Sequence, residues 1–206
     1  MVSALGIEER DFAVGVLARA FRDSPLNCAV IDGDAQRRLR SNLHGMRALL
    51  GSAFGVATIL GISCAANRGS LAGVLLAAEP SRYPLPMPGM WQQLRCLFGQ
   101  GWTVARRWAV VHQAFSQVHP HDPHFYLSVL GVDPAHQGKG LGSALLRSWL
   151  AGVDLQKGSC YLETDRPENL PFYERAGFAV VHEIEVLGVR VWCMVRRAAA
   201  DTSAKR

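Results

Sequence analysis

Residues 136–146, HQGKGLGSALL, place three glycines at alternating positions directly before an apolar run with helical spacing. Glycine admits φ > 0 and lets a ligand approach the backbone closely, yet no residue loses more chain entropy on being ordered. An anion is the usual reason for such a loop at a helix start. The first-turn N–H groups have no intrahelical partner, and the helix dipole adds positive potential there. The loop follows a strand-like run, FYLSVLGV (125–132), so it belongs at the C-terminal end of a strand.

The flanking pattern carries this further. GLGSALLRSWLAGV (140–153) has an apolar stripe at Leu141, Leu145 and Trp149 and predicts a helix. CYLET (160–164) reads as a second strand, and NLPFYERAG (169–177) as a short helix ended by Gly177. The run 178–197 reads as a hairpin turning at Gly188. This alternation of strands and helices predicts an α/β or α+β domain.

Upstream, IEERDFAVGVLARAF (7–21) predicts an amphipathic helix facing inward through Phe12, Val16, Leu17, Ala20 and Phe21. DAQRRLRSNLHGMRALL (34–50) predicts a second helix with Asp34 as N-cap. Strands are expected at 55–62 and 71–78, joined by the turn-like 65–70. Three prolines keep YPLPMPG (83–89) irregular. The stretch that it opens, to Val118, is read as helical. Its Trp91, Leu94, Leu97, Phe98, Trp102, Trp108 and Phe115 serve either as core or as the wall of a substrate pocket.

Composition narrows the class. The chain has 206 residues, 49% hydrophobic and 19% charged, which suits one globular domain. A net charge of +5 without Lys/Arg blocks argues against nucleic acid. Residues 48–67 are uncharged, but Gly51, Gly55 and Gly61 with Ser52, Thr58 and Ser63 break the run, so no membrane span is expected. The five scattered cysteines form no C-x-x-C pair and read as reduced, mostly buried thiols of a cytoplasmic protein. Met1 to Asp11 does not read as a signal peptide. HPHDPH (119–124) lacks helical ligand spacing and is read as a loop entering the strand at 125. No metal is expected, and His124 or Asp122 borders the acceptor site.

Two common anion loops do not fit. A Walker loop needs G-x-x-x-x-G-K-[ST], whereas Lys139 is followed by Gly140. The dinucleotide fingerprint G-x-G-x-x-G opens a βαβ unit, whereas here G-x-G-x-G comes late in the chain. QGKGLG instead resembles the acetyl-CoA pyrophosphate loop of the GNAT acyltransferase superfamily, Gln/Arg-x-x-Gly-x-Gly/Ala, filled by Gln137, Gly140 and Gly142. LETDRPENLPFYERAGF (162–178) resembles the strand and helix that follow it in that superfamily. Residues 125–197 are more closely similar to the puromycin N-acetyltransferases, through NLPFYER and the terminal WCM. The N-terminal half shares with them AF-x-D-x-P (20–25) and the order of elements.

The resemblance implies a GNAT-like α/β (α+β) fold, a mixed, mostly antiparallel central sheet flanked by helices. It implies one domain over 1–198, with an acetyl-CoA-binding core at about 125–197 and a polar tail at 199–206. Acetyl-CoA would be the co-substrate, with no metal. The acetyl group would pass to a primary amine of a small, hydrophobic or aromatic acceptor. The backbones of Gly138, Lys139, Gly140, Leu141, Gly142 and Ser143 would cradle the pyrophosphate. Those of Leu130, Gly131 and Val132 would follow pantetheine, with residues 130 and 132 polarising the thioester carbonyl.

Tyr173 would act as general acid toward the thiolate, with packing as its other reading. Asn169 would contact the cofactor or cap the helix. Glu163, in an apolar strand whose burial strengthens a carboxylate as a base, would be the base or a structural hydrogen-bond partner. Lys139 would add charge to the loop or stay solvated. Neither nucleic acid nor membrane is expected as partner, and a homodimer is compatible with these readings. Two alternatives remain: a protein or peptide N-acetyltransferase with an open groove, and a non-catalytic acetyl-CoA-binding module. The presence of both Tyr173 and Glu163 argues against the module.

Overall fold

LAGVLLAA has no polar side chain anywhere along it, as expected of a strand covered on both faces. It forms β3 (Leu71–Ala78) near the middle of a seven-stranded sheet. The computed structural model describes residues 1–63, 70–80 and 82–198. The expected tail at 199–206, Cys64 and most of the turn at 65–70 lie outside them.

The other strands are β1 (Val2–Ala4), β2 (Thr58–Ser63), β4 (Phe125–Val132), β5 (Cys160–Thr164), β6 (Ala179–Val186) and β7 (Val189–Arg196). Their order is β1-β2-β3-β4-β5-β7-β6, and only the β4–β5 pair is parallel. The helices are α1 (Arg10–Ala20), α2 (Pro25–Val30), α3 (Ala35–Ala53), α4 (Met90–Gln100), α5 (Trp102–Val118), α6 (Leu141–Leu155) and α7 (Leu170–Glu174). This is the single-domain, mostly antiparallel sheet flanked by helices that the resemblance implied.

Each face of the sheet has its own core. Leu75 and Ala77 of β3 pack with Leu127, Leu162 and Met194 against Leu145, Leu146 and Trp149 of α6. The alternate residues Val74 and Leu76 face Val14 and Leu17 of α1 and Leu50 of α3. A third cluster joins Val30 and Ile31 to Val104 and Val111 of α5 and to Val186 and Val191 of the hairpin.

Several expectations need correction. Phe12 is 67% exposed, because α1 turns Ala13, Val14, Val16, Leu17 and Ala18 inward, one residue round from the expected face. Asp34 does cap α3, accepting from the Arg37 N–H at 2.7 Å. The stretch after the prolines is helical as expected, in two helices parted at Gly101 with φ 89°. Trp91, Phe98 and Trp102 there are exposed, so they are neither core nor the wall of an enclosed pocket. Cys160 and Cys193 are buried, but Cys28 is exposed. Among the described residues no helix is long and apolar enough to cross a membrane.

Gly131 of β4 exists for packing. A Cβ there would lie 2.8 Å from Leu17 Cδ2 and 3.0 Å from Ala20 Cβ, because α1 crosses directly over this strand. Gly131→Ala is therefore expected to destabilise the fold by about 1–3 kcal/mol, the usual cost of overpacking. A thermal melt unchanged from the parent would show that α1 does not press on β4 as described.

Candidate active site

The sheet parts at its one parallel pair. Phe125 and Tyr126 face Cys160 and Tyr161, and the register between β4 and β5 stops there. Beyond this point β4 stays with β3 as far as Val132, while β5 stays with β7 as far as Thr164. Ser128 is the extra residue of a bulge, since Leu127 faces Ala77 while Val129 faces Leu76. A bulge bends its strand and increases the local twist. The inner edges of Leu130, Gly131 and Val132 therefore face an opening rather than a neighbouring strand.

At the wide end of that opening lies the glycine loop. Asp133 accepts from the Ala135 N–H at 3.1 Å and receives Nε and Nη2 of Arg19, each at 2.7 Å. This ties the loop to α1 and neutralises its carboxylate. Gln137 donates to the Val132 carbonyl at 3.0 Å, and Lys139 to the Ala135 carbonyl at 3.3 Å. Gly138 and Gly140 both have φ 75°, the left-handed region, and a Cβ at either would meet nothing within 4 Å. Gly140 is the N-cap of α6 and supplies no side-chain acceptor, so the first-turn N–H groups of α6 are left for an outside anion.

Gly142 is different: it is helical, and a Cβ there would make ordinary contact with Val132 and Phe172. Leu141 and Ser143 are half-buried in that first turn. A groove of about 530 Å³ continues from the loop between α6 and α7, lined by Ser143, Arg147, Phe172 and Arg175 among others. These features fit a phosphate-bearing cofactor: an uncapped helix start, an open cradle and a groove with three arginines, of which Arg196 is paired with Asp154.

The two proposed catalytic residues flank the opening from opposite faces. Tyr173 packs in the core that contains Leu162, edge-on to Phe172 and Phe178 with ring centroids at 4.9 and 5.9 Å. Burial, with the Asp165 carboxylate adding, holds its phenol above the ordinary tyrosine range. Asn169 makes no capping bond to α7; its amide instead donates to Thr164 Oγ1 at 3.4 Å, tying the helix start to the end of β5. The segment after β5 is pinned to the N-terminal half. Asp165 accepts the Leu26 N–H at 2.8 Å, and Arg166 donates to the Asp23 carbonyl at 2.9 Å.

Glu163 alternates onto the other face, where it meets residues from distant parts of the chain. Its Oε2 accepts from the Tyr126 hydroxyl at 2.9 Å, and its Oε1 lies 3.8 Å from His119 Nδ1. Tyr83, from the proline-rich loop, stacks on the His119 ring at 3.7 Å and 8°. His124 and Tyr161 complete the cluster. Burial and the neighbouring Glu163 carboxylate push the phenols of Tyr83, Tyr126 and Tyr161 and the thiol of Cys193 upward, so all four keep their protons. Of the histidine loop, His124 joins the cluster and Asp122 contributes its carbonyl. Among the described residues no three His, Cys, Asp or Glu side chains converge as a metal site.

The sequence did not single out Tyr83, Tyr126 or Tyr161, and His119 was read only as part of the loop at 119–124. For the two strand tyrosines a signal existed, because Tyr126 shares a parity with Ser128, and Tyr161 with Glu163, marking a polar face on two apolar strands. His119 had none.

With this architecture and loop, the molecule has the GNAT acetyltransferase fold. Residues 100–180 match the family model described as the acetyltransferase (GNAT) domain. A Corynebacterium glutamicum structure, described as histone acetyltransferase HPA2 and related acetyltransferase, superposes with a TM-score of 0.74 at 21% identity, covering 98% of each chain. The PaiA N-acetyltransferase of Thermoplasma acidophilum, solved with coenzyme A, gives a TM-score of 0.57 at 14% identity over 96% of this chain and 98% of its own.

Among curated proteins, the mycothiol acetyltransferase of Mycobacteroides abscessus is 47% identical over 55 residues, 25% of this chain and 19% of that protein. That of Renibacterium salmoninarum is 36% identical over 89 residues, 40% of this chain and 23% of that protein. The chain spans about a fifth of the length of the curated relatives it matches. These two relatives are mycothiol acetyltransferases, and neither supports the closer likeness to puromycin N-acetyltransferases.

Proposed function

We propose that the protein transfers the acetyl group of acetyl-CoA to a primary amine of a small acceptor with a hydrophobic or aromatic body. One observation carries this reading: a parallel strand pair opens beside a glycine loop whose left-handed backbone leaves a helix N-terminus uncapped. Backbone N–H groups from Gly138 to Ser143 hold the pyrophosphate, helped by the helix dipole. Gln137 and Asp133 keep the loop in place through Val132, Ala135 and Arg19. Arg147 and Arg175 extend the positive lining along the groove. The inner edge of β4 at Leu130 to Val132 offers peptide groups to an extended pantetheine chain and a donor to the thioester oxygen.

Acetyl-CoA supplies an activated acyl group, and the protein positions it and moves protons. Glu163 accepts a proton from the amine, and Tyr173 donates one to the departing thiolate. A free thiol has a pKa of about 8.5 and a free phenol about 10, so the phenol is not the stronger acid of the two. Burial weakens it further, so its contribution is placement and certain protonation at neutral pH. A small acceptor is favoured by two features. The matched relatives are named mycothiol acetyltransferases, and rings of Tyr83, Tyr126 and Tyr161 surround Glu163.

Gly140→Val is expected to weaken acetyl-CoA binding at least ~100-fold in calorimetry, about 2.7 kcal/mol, by straining φ 75° and filling the cradle. Parent-like affinity would overturn the loop assignment. Tyr173→Phe keeps the packing and removes the acid, so kcat is expected to fall roughly 10–1000-fold while acetyl-CoA affinity holds. With the phenol raised by burial, the parent should show no loss of rate from phenol ionisation below about pH 10. Unchanged turnover in the variant would return Tyr173 to packing alone. In an amine panel read by free CoA thiol, a strong preference for peptide N-termini over small aromatic amines would overturn the small-molecule acceptor.

A further inference from the structure

Among the described residues two buried polar atoms that face each other, His119 Nδ1 and Glu163 Oε1, have no hydrogen-bond partner within range, and the Tyr161 hydroxyl lies beside them, close to Glu163 and Cys193. The His119 and Glu163 side chains are only 6% and 5% exposed. With both imidazoles neutral, the hydrogen bonds around them assign the tautomers. His124 Nδ1 lies 2.7 Å from the Asp122 carbonyl, which can only accept, so that nitrogen carries the proton. A neutral His124 then has a bare Nε2, which accepts from His119 Nε2–H at 2.9 Å. A neutral His119 in turn presents a bare Nδ1 to Glu163 Oε1 across 3.8 Å. Tyr126 donates to the other carboxylate oxygen. With both rings neutral, lone pairs of His119 and Glu163 face one another across that gap, with the Tyr161 hydroxyl beside them.

One proton resolves that arrangement, and the place where it does so is informative. Glu163 lies two residues past Tyr161, the last β5 residue paired with β4, at the closed end of the opening. The groups facing the pair are Tyr83 from its loop, His112 of α5, His124, Tyr126 of β4, Tyr161 of β5 and Cys193 of β7. None of them is a lysine or arginine that would neutralise Glu163 permanently.

We infer that His119 and Glu163 act as one unit that strips the proton from a protonated acceptor amine. This rests on the acyl-transfer reading above. The ammonium docks against Glu163, its N–H bond breaks, and the proton passes through Oε1 to His119 Nδ1, where an N–H bond forms. The amine is left neutral with its lone pair free, and the positive charge moves to an imidazolium beside the carboxylate. Charge and protons balance. His119 does not touch the acceptor; it is a positioning residue that works through Glu163. The substrate class that this device serves is a basic alkylamine, which is protonated at neutral pH, rather than an arylamine, which is already neutral.

The test compares benzylamine with aniline as acceptors for the parent and for His119→Gln, with thermal melts to check folding. At pH 7 the variant is expected to lose at least ~100-fold in kcat/KM on benzylamine and far less on aniline, and to recover on benzylamine as pH rises. Equal loss on both amines, or no loss on benzylamine, overturns the inference. Nitrogen NMR of the histidine-labelled parent keeps the test independent of the variant. The expected tautomers are Nε2–H for His119 and Nδ1–H for His124, and the reverse for His119 overturns the pair. If the parent acetylates neither amine, the acyl-transfer reading fails and this role with it, and the NMR result shows separately whether the pair itself is built as described.

Discussion

Two strands that start as neighbours and part after two residues set the terms for the rest of the molecule. Backbone N–H and C=O groups in a protein interior need partners, and a strand edge turned into an opening has lost those of the sheet. A structure with such an edge must give it a ligand or expose it to water. Here the bulge at Ser128 turns β4 away, β3 and β7 hold the outer edges, and the two inner edges are left for a guest. A long chain with amide groups suits that edge better than a globular ligand, because it can replace the missing strand.

The surroundings follow from keeping this opening open. If β4 and β5 closed, the seam would zip as an ordinary parallel ladder. Separate anchors resist that. On one side α1 lies against Gly131, and its Arg19 holds Asp133 at the strand's end. On the other, Asp165 and Arg166 tie the end of β5 to α2 and to Asp23. The N-terminal half is thus the brace for a site made by the C-terminal half. On one face of β5 Tyr173 of α7 sits among apolar groups, and on the other Glu163 lies among hydroxyls and imidazoles, so the two faces of one strand carry opposite polarity.

Much of this was legible in the chain. Glycine spacing before the stripe of Leu141, Leu145 and Trp149 marked the loop and α6, since both are local. FYLSVLGV and CYLET marked two strands, though not the polar face that they share. The place where these strands part was not legible, because it depends on a bulge and on pairing between distant segments. His119 is brought to Glu163 by the end of α5, and no local pattern announces that meeting. In α4 periodicity showed a stripe but not which side would be buried. Gln92 lies against Gly51, and Gln100 lies against Gly45 and donates to the Ser41 carbonyl, so the polar side packs on α3 while Trp91 and Phe98 face outward. Glycines on a partner helix decided that, and the apolar stripe alone could not.

On the proposed reading, the β4–β5 opening and the loop after it form one binding site for acetyl-CoA. Amide hydrogen exchange with and without acetyl-CoA is the decisive measurement, because it reads the backbone groups that have lost their sheet partners. Slowed exchange confined to residues 128–132, 138–143 and 162–164 is the predicted result. Protection elsewhere with these segments unchanged, or no protection at saturating acetyl-CoA, would contradict it.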